Sequence, residues 1–159
     1  MSSRAAWWLE ALGFTDVFRY AGGKRDWAAG GFPVEGRKAH ETRIGSLARR
    51  DVPTARLDEP VGSVAERARE KGYDTAVVVN EEGIVLGRLF ASALRAGAEA
   101  GPSERAGDVM RPGPSTYRPD MPAAEMLEHL LRRRLKSALV ATPEGRLVGL
   151  FLIADAMAL

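Results

Sequence analysis

The chain has 159 residues, 45% apolar and 28% charged, with a formal net charge of +2 and no cysteine. Such a composition can build its own core. It excludes disulfides, thiolate metal sites and cysteine nucleophiles, and the small charge gives nucleic acid little to hold. No stretch approaches the roughly 20 apolar residues of a membrane span, and the N-terminus lacks the apolar run of a signal peptide. The expectation is a cytoplasmic protein with neither membrane nor nucleic-acid partners.

Residues 1–42 read as an appendage. Ala5 to Leu12 predicts a short helix ended by Gly13. Asp16 to Tyr20 predicts a strand, followed by Gly22-Gly23-Lys24 with Trp27, then Gly31-Phe32-Pro33. This order resembles the C-terminal tail of a rhodanese-like domain. That family's catalytic cysteine has no counterpart here, so sulfur transfer is excluded. Gly22-Gly23-Lys24 lacks the spacing and the hydroxyl residue of a phosphate loop. Trp7, Trp8, Phe14 and Trp27 are too apolar to leave exposed as a patch. They are expected to pack on the rest of the chain or on a second subunit.

From Arg43 onward the chain repeats itself at an offset of 62 residues without a gap. Arg43 falls on Arg105, Gly45 on Gly107, Arg49 on Arg111, Thr54 on Thr116 and Pro60 on Pro122. Ala76 meets Ala138, Glu82-Gly83 meets Glu144-Gly145, and Gly87 meets Gly149. Chance matches would scatter, whereas these preserve turn and strand residues in order. The organisation predicted is appendage 1–42, repeat one 43–94, linker 95–104 and repeat two 105–159.

Each repeat opens on a short segment, Ile44 to Ala48 or Ala106 to Met110, and an extended stretch around Thr54 or Thr116. An Asp-x-Pro turn follows, with Pro60 and Pro122 expected just inside a helix start. Val61, Val64, Ala65 and Ala68 form an apolar helical stripe ended at Gly72. Met126, Leu127, Leu130 and Leu131 form its equivalent. Thr75 to Val79 and Ser137 to Ala141 read as buried strands, each turning through a glycine into a second strand, Ile84 to Phe90 or Arg146 to Leu152. A short helix closes each copy. The fold class is α/β (α+β), two β-α-β-β-α units. Each has one apolar sheet face that it cannot bury alone, so the two are expected to pack sheet against sheet.

This grammar resembles the CBS domain, in tandem as a Bateman module. In that family the second hairpin strand ends in glycine, two apolar residues, Thr or Ser, two variable residues, then Asp or Asn. The resemblance implies that this Asp accepts hydrogen bonds from the ribose hydroxyls of an adenosyl ligand. Repeat two reads Gly149-Leu150-Phe151-Leu152-Ile153-Ala154-Asp155, with glycine and acid in register and Leu152 at the hydroxyl position. Repeat one reads Gly87-Arg88-Leu89-Phe90-Ala91-Ser92-Ala93, with Phe90 and Ala93 at the hydroxyl and acid positions. The resemblance therefore implies at most one ordinary site. Its residues would be Asp155, Gly149 and Leu152, with Thr54 and Ala55 on the adenine and Lys136 facing phosphate.

Each of these has a plainer role. An acid in the first turn of a helix suits the helix dipole, and the basic run from Arg132 to Lys136 suits a helix end. Leu152 and Phe90 fill cores. His40 and His129 have no acid at a diagnostic spacing. Two functions stay open: a regulatory module sensing AMP, ATP or a related adenosyl compound, or a structural, dimerising module that has lost its site. A homodimer is expected for either, as the resemblance implies. An enzyme has little support, because no nucleophile–base pair or metal constellation is present, and no cofactor is required.

Overall fold

The computed structural model describes residues 2–29, 32–36, 41–100 and 103–158; Gly31, His40 and linker residues 101–102 lie outside them. The appendage contains α1 (Ser2–Ala11) and α2 (Gly23–Ala29). Repeat one follows as α3 (Ile44–Leu47), β1 (Thr54–Ala55), α4 (Val61–Glu70), β2 (Thr75–Val79), β3 (Val85–Phe90) and α5 (Ala91–Ala100). Repeat two follows as α6 (Ala106–Val109), β4 (Arg111–Pro112), β5 (Thr116–Tyr117), α7 (Ala123–Arg132), β6 (Ser137–Ala141), β7 (Leu147–Leu152) and α8 (Ile153–Ala156). The β-α-β-β-α order expected is present in both copies, each preceded by a short helix, but repeat two has an additional strand, β4, which joins the sheet of repeat one. Helix α5 continues through the first half of segment 95–104.

Two sheets result, β1-β2-β3-β4 and β5-β6-β7. In each, the first strand pairs parallel to the second and the hairpin is antiparallel, with the same bulge before its last residue. Side chains alternate across a strand, and the cores follow. Ala76 and Val78 of β2 face helix α4 with Val61, Val64 and Ala68, while Ala138 and Val140 of β6 face α7 with Met126 and Leu130. The opposite faces meet in a shared layer of Val52, Val77, Val79, Leu139 and Leu150. The two sheets thus pack face to face, and burying each of these side chains contributes roughly 2 kcal/mol.

The leading segments are exchanged. Helix α3 enters the core of repeat two through Ile44 and Ala48, and α6 enters that of repeat one through Ala106. Matching hydrogen bonds fix both: Ile44 N–H donates to Met121 O and Ala106 N–H to Glu59 O, both at 2.9 Å. Gly45 N–H donates to Pro119 O and Gly107 N–H to Leu57 O. Gly149 is required by this exchange, because a Cβ there would run into the Arg49 carbonyl. At the far edge the hairpin turns clasp each other, Val85 N–H to Gly145 O at 3.0 Å and Leu147 N–H to Gly83 O at 2.9 Å.

Several expectations need correction. Residues 16–20 form no strand, and the Gly22-Gly23-Lys24 segment turns into α2 instead. Trp7, Trp8, Phe14 and Trp27 stay exposed rather than packing on the repeats. Trp27 stacks on Tyr20 and Phe32 of its own segment and donates from Nε1 to Pro33 O at 2.7 Å. Pro60 and Pro122 sit one residue earlier than expected, as helix N-caps in extended conformation. Leu131 is exposed, because Ala123, Met126 and Leu130 carry the buried face of α7.

Candidate functional site

The repeats give two equivalent borders, or clefts, where the leading segment of one repeat pairs with the last strand of the other, Arg49 with Leu150 and Arg111 with Arg88, and their side chains differ. In the first cleft, Asp155 of α8 meets Arg49, which belongs to the segment leading into β1. Arg49 donates from Nε to Oδ2 at 2.7 Å and from Nη2 to Oδ1 at 2.6 Å, a two-pronged pair. The side chains are 47% and 25% exposed, so both remain reachable from solvent. The hydrogen bond from Arg49, ahead of its charge, holds the Asp155 carboxyl below the usual range, and Asp155 raises Arg49 in return. Arg49 is itself fixed by the main chain, which exchanges hydrogen bonds with Leu150 in both directions at 3.0 and 2.9 Å.

The same cleft carries a second polar group. Tyr73 donates its hydroxyl to Asp51 Oδ1 at 2.5 Å, and Lys71 donates to the Asp51 carbonyl at 3.0 Å. The Tyr73 hydrogen bond lowers the Asp51 carboxyl, while burial, then the Asp51 contact, raises the Tyr73 phenol.

The other site residues separate by register. Thr54 pairs with Val77 and lies two residues from Val52, both of the shared layer, so it lies on the inter-sheet face. Its exposed position leaves it at the cleft edge, with its carbonyl accepting from Arg67 Nη2 at 2.8 Å. Ala55 points the other way, 2% exposed in the core under α4, and has only its main chain to offer a ligand. Gly149 is buried against the Arg49 main chain. Leu152 packs at the border of the shared layer. Lys136 is exposed, and its carbonyl accepts from Ile153 N–H at 3.1 Å. Thr54 and Leu152 therefore lie on inter-sheet faces, Asp155 lies on α8 against Arg49, and Ala55 and Gly149 present no side chain to the shared layer.

In the second cleft Ala93 stands in place of Asp155 and Arg111 in place of Arg49. Arg88 of β3 stands where repeat two has Leu150. It donates from Nε to Thr75 Oγ1 and from Nη2 to Ser137 Oγ, both at 2.8 Å, so it joins the first residues of the two equivalent strands β2 and β6. Its guanidinium lies 5.1 Å from the centre of the Phe90 ring, which is 41% exposed. Burial pushes the Arg88 pKa down, against the field of Asp74. Arg49, Arg88 and the two hydroxyls were not among the residues singled out from sequence. A charged residue at an alternating core position opposite a leucine of the other repeat was the available signal for Arg88.

No cluster of three or more potential metal ligands exists among the described residues. His129 instead shares a 2.7 Å hydrogen bond with the Tyr117 hydroxyl. A cavity of about 380 Å³ lies between α1 and α2, lined only by appendage residues including Leu9, Phe18, Tyr20 and Trp27. No helix among the described residues is long and apolar enough to cross a membrane.

The family model for the CBS domain matches twice, at residues 44–94 and 106–159. The chain belongs to the CBS-domain family. Its two copies make it a CBS pair. No curated protein matches the chain. Among solved structures, the CBS domain pair of protein MJ0100, in complex with 5'-methylthioadenosine and S-adenosyl-L-methionine, is 17% identical with a TM-score of 0.62, over 74% of this chain and 94% of that one. The CBS-pair protein CBSX2, from Arabidopsis thaliana, was solved in complex with AMP. It is 17% identical with a TM-score of 0.63, over 73% of this chain and 93% of that one. The cytosolic domain of the Mg2+ channel MgtE, in complex with ATP, is 24% identical with a TM-score of 0.63 over 76% of this chain, which spans only 50% of that one. These likenesses concern the fold.

Proposed function

We propose that this CBS pair is a non-catalytic regulatory module that senses an adenosyl nucleotide, AMP or ATP in kind, in the inter-repeat cleft at Asp155. The observation that carries the reading is the solvent-reachable Asp155 carboxylate, held in its charged form by the two-pronged hydrogen bond from Arg49. An ionised carboxylate only accepts, and its two oxygens have lone pairs beyond those Arg49 uses. Ribose hydroxyls are the matching donors. A nucleotide would also bring an anion to Arg49, so one ion pair is exchanged for two contacts. Related folds with adenosyl ligands bound, among them those with AMP and ATP, support the ligand class. Binding would shift the module only through unequal affinity for two arrangements, within a homodimer in the cytoplasm.

Titration calorimetry with AMP, ATP, NAD and S-adenosylmethionine tests this. Absence of heat with all four at millimolar concentration sinks it, and so does a binder whose affinity survives Asp155→Ala. The second reading, a dimerising scaffold without a ligand, is favoured by one observation: Arg49 already satisfies Asp155 on both oxygens. Sedimentation then still finds a dimer while every titration is flat.

A further inference from the structure

We propose that the groove between α1 and α2 is a second ligand site, which takes a small aromatic carboxylic acid in its ionised form. Its described lining comes from the appendage alone, so it stands apart from the Asp155 cleft. Its volume of about 380 Å³ falls at the lower end of the roughly 300–1,000 Å³ in which small molecules bind. Each helix gives the groove one face. Ala5, Ala6 and Leu9 come from α1, and Gly23, Lys24 and Trp27 from α2, the same spacing in both. The small residues leave the room, and a Cβ at Gly23 would meet nothing. Leu9, Phe18 and Trp27 supply apolar walls, with Phe18 91% exposed. A ligand that covers such surface removes it from water.

The charge in the groove has one sign. Arg19 and Lys24 both line it, and no acid does among the described residues. Both cations are exposed, and neither forms an ion pair with a described residue. Arg19 donates from Nη1 to Ser3 Oγ at 2.6 Å. That bond ties the guanidinium to the first turn of α1, and a hydroxyl does not neutralise it. Nε and Nη2 of Arg19 make no hydrogen bond to the described residues, so donors remain for a carboxylate.

The walls point to the rest of the ligand. Trp27 is held in place before anything binds, by its Nε1 bond to Pro33 O at 2.7 Å and by ring contacts with Tyr20 at 5.3 Å and Phe32 at 4.7 Å. A fixed indole beside Tyr20 and Phe18 offers a flat ring offset or edge-on contacts, which aromatic pairs prefer. A single carboxylate matches the two cations at the groove without carrying a heavily hydrated dianion against Leu9 and Trp27. Trp7 and Trp8 are exposed but do not line the groove. They report on any binding that lacks a site.

The test uses the whole chain and follows the three indole N–H resonances by NMR during additions of phenylacetate, phenylacetamide and phenethylamine. Phenylacetate is expected to move the Trp27 resonance to saturation while Trp7 and Trp8 stay still. The neutral amide should bind roughly fivefold more weakly, the scale of an exposed ion pair, and the amine more weakly again. Arg19→Gln with Lys24→Gln should bring acid and amide to equal affinity. Ala6→Leu keeps a good helix former in α1 and fills the groove, so it should weaken phenylacetate at least about tenfold. Circular dichroism checks that α1 survives, and the double glutamine variant carries the test if it does not. Arg4→Gln, a loss of charge outside the groove, should leave affinity within about twofold. A flat Trp27 resonance, equal binding of acid and amine, or equal shifts at all three indoles overturns the proposal. So does a Trp27 shift that follows protein concentration and ignores phenylacetate, which would give the groove to a second copy. Asp155→Ala should leave phenylacetate binding unchanged, so failure here and failure of nucleotide sensing are read separately.

Discussion

The two clefts are built from the same backbone and differ in charge logic. Both are bordered by a hairpin strand of one repeat and the exchanged leading segment of the other, and both leading segments carry an arginine at the same position. In the Asp155 cleft that arginine is neutralised within the protein. In the Arg88 cleft a second arginine replaces a core leucine and the acid is gone. Duplication kept the scaffold because main-chain hydrogen bonds and apolar burial define it. It left the cleft side chains that reach solvent, such as those at the Asp155 and Arg49 positions, free to diverge, since changing exposed groups costs the fold little.

Exchanging residues between the clefts breaks the comparison most sharply. Leu150→Arg puts an unpaired cation into the shared layer, where Leu150 is fully buried, and should cost about 3 kcal/mol. Chemical denaturation measures it, and a variant as stable as wild type would mean the layer tolerates charge on either side. Gly149→Ala comes next, at about 2 kcal/mol, because a Cβ there meets the Arg49 main chain. Gly87→Ala should cost clearly less, because its Cβ meets the Met110 side chain, which can move. Equal melting-point losses for the two would contradict the asymmetry. Arg88→Leu should stay within about 1 kcal/mol of wild type, as replacing a poorly paired buried charge by a fitting apolar group often does.

The smallest effect carries a sign. Asp155→Asn should lower stability slightly at neutral pH, since an exposed pair contributes little. The folded-state pKa of Asp155 is depressed. Its contribution is therefore complete above the unfolded carboxyl value of about 3.9, and is lost as pH falls through the lower folded value. Urea midpoints of variant and wild type should differ near neutrality and converge in acid; a gap that stays constant with pH would assign it to something other than the carboxylate.

Periodicity and turn chemistry were enough to read the strands. Thr75 to Val79 and Ser137 to Ala141 appear as expected because short β-branched and apolar runs bounded by turns have one way to pair. The strand expected at Asp16 to Tyr20 failed because no partner strand lies beside it among the described residues: an extended apolar run forms a strand only by pairing. Asp155 was legible through the motif around Gly149, but its partner was not. Arg49 lies 106 residues away, and the repeat offset relates it to Arg111, not to Asp155. Ala55 was named with Thr54, yet one residue of strand register turns it into the core under α4.

The sequence by itself determined the duplication, the order of elements and the positions of the turns, because these rest on local propensity and on apolar spacing that recurs every 62 residues. Only the tertiary structure decided which repeat each leading segment serves, and hence which charges meet. The exchange of α3 and α6 sets Arg49 against Asp155 and Arg111 against Arg88. Such pairings depend on distance in space, and a linear chain does not encode distance until its two sheets have closed on their shared apolar layer.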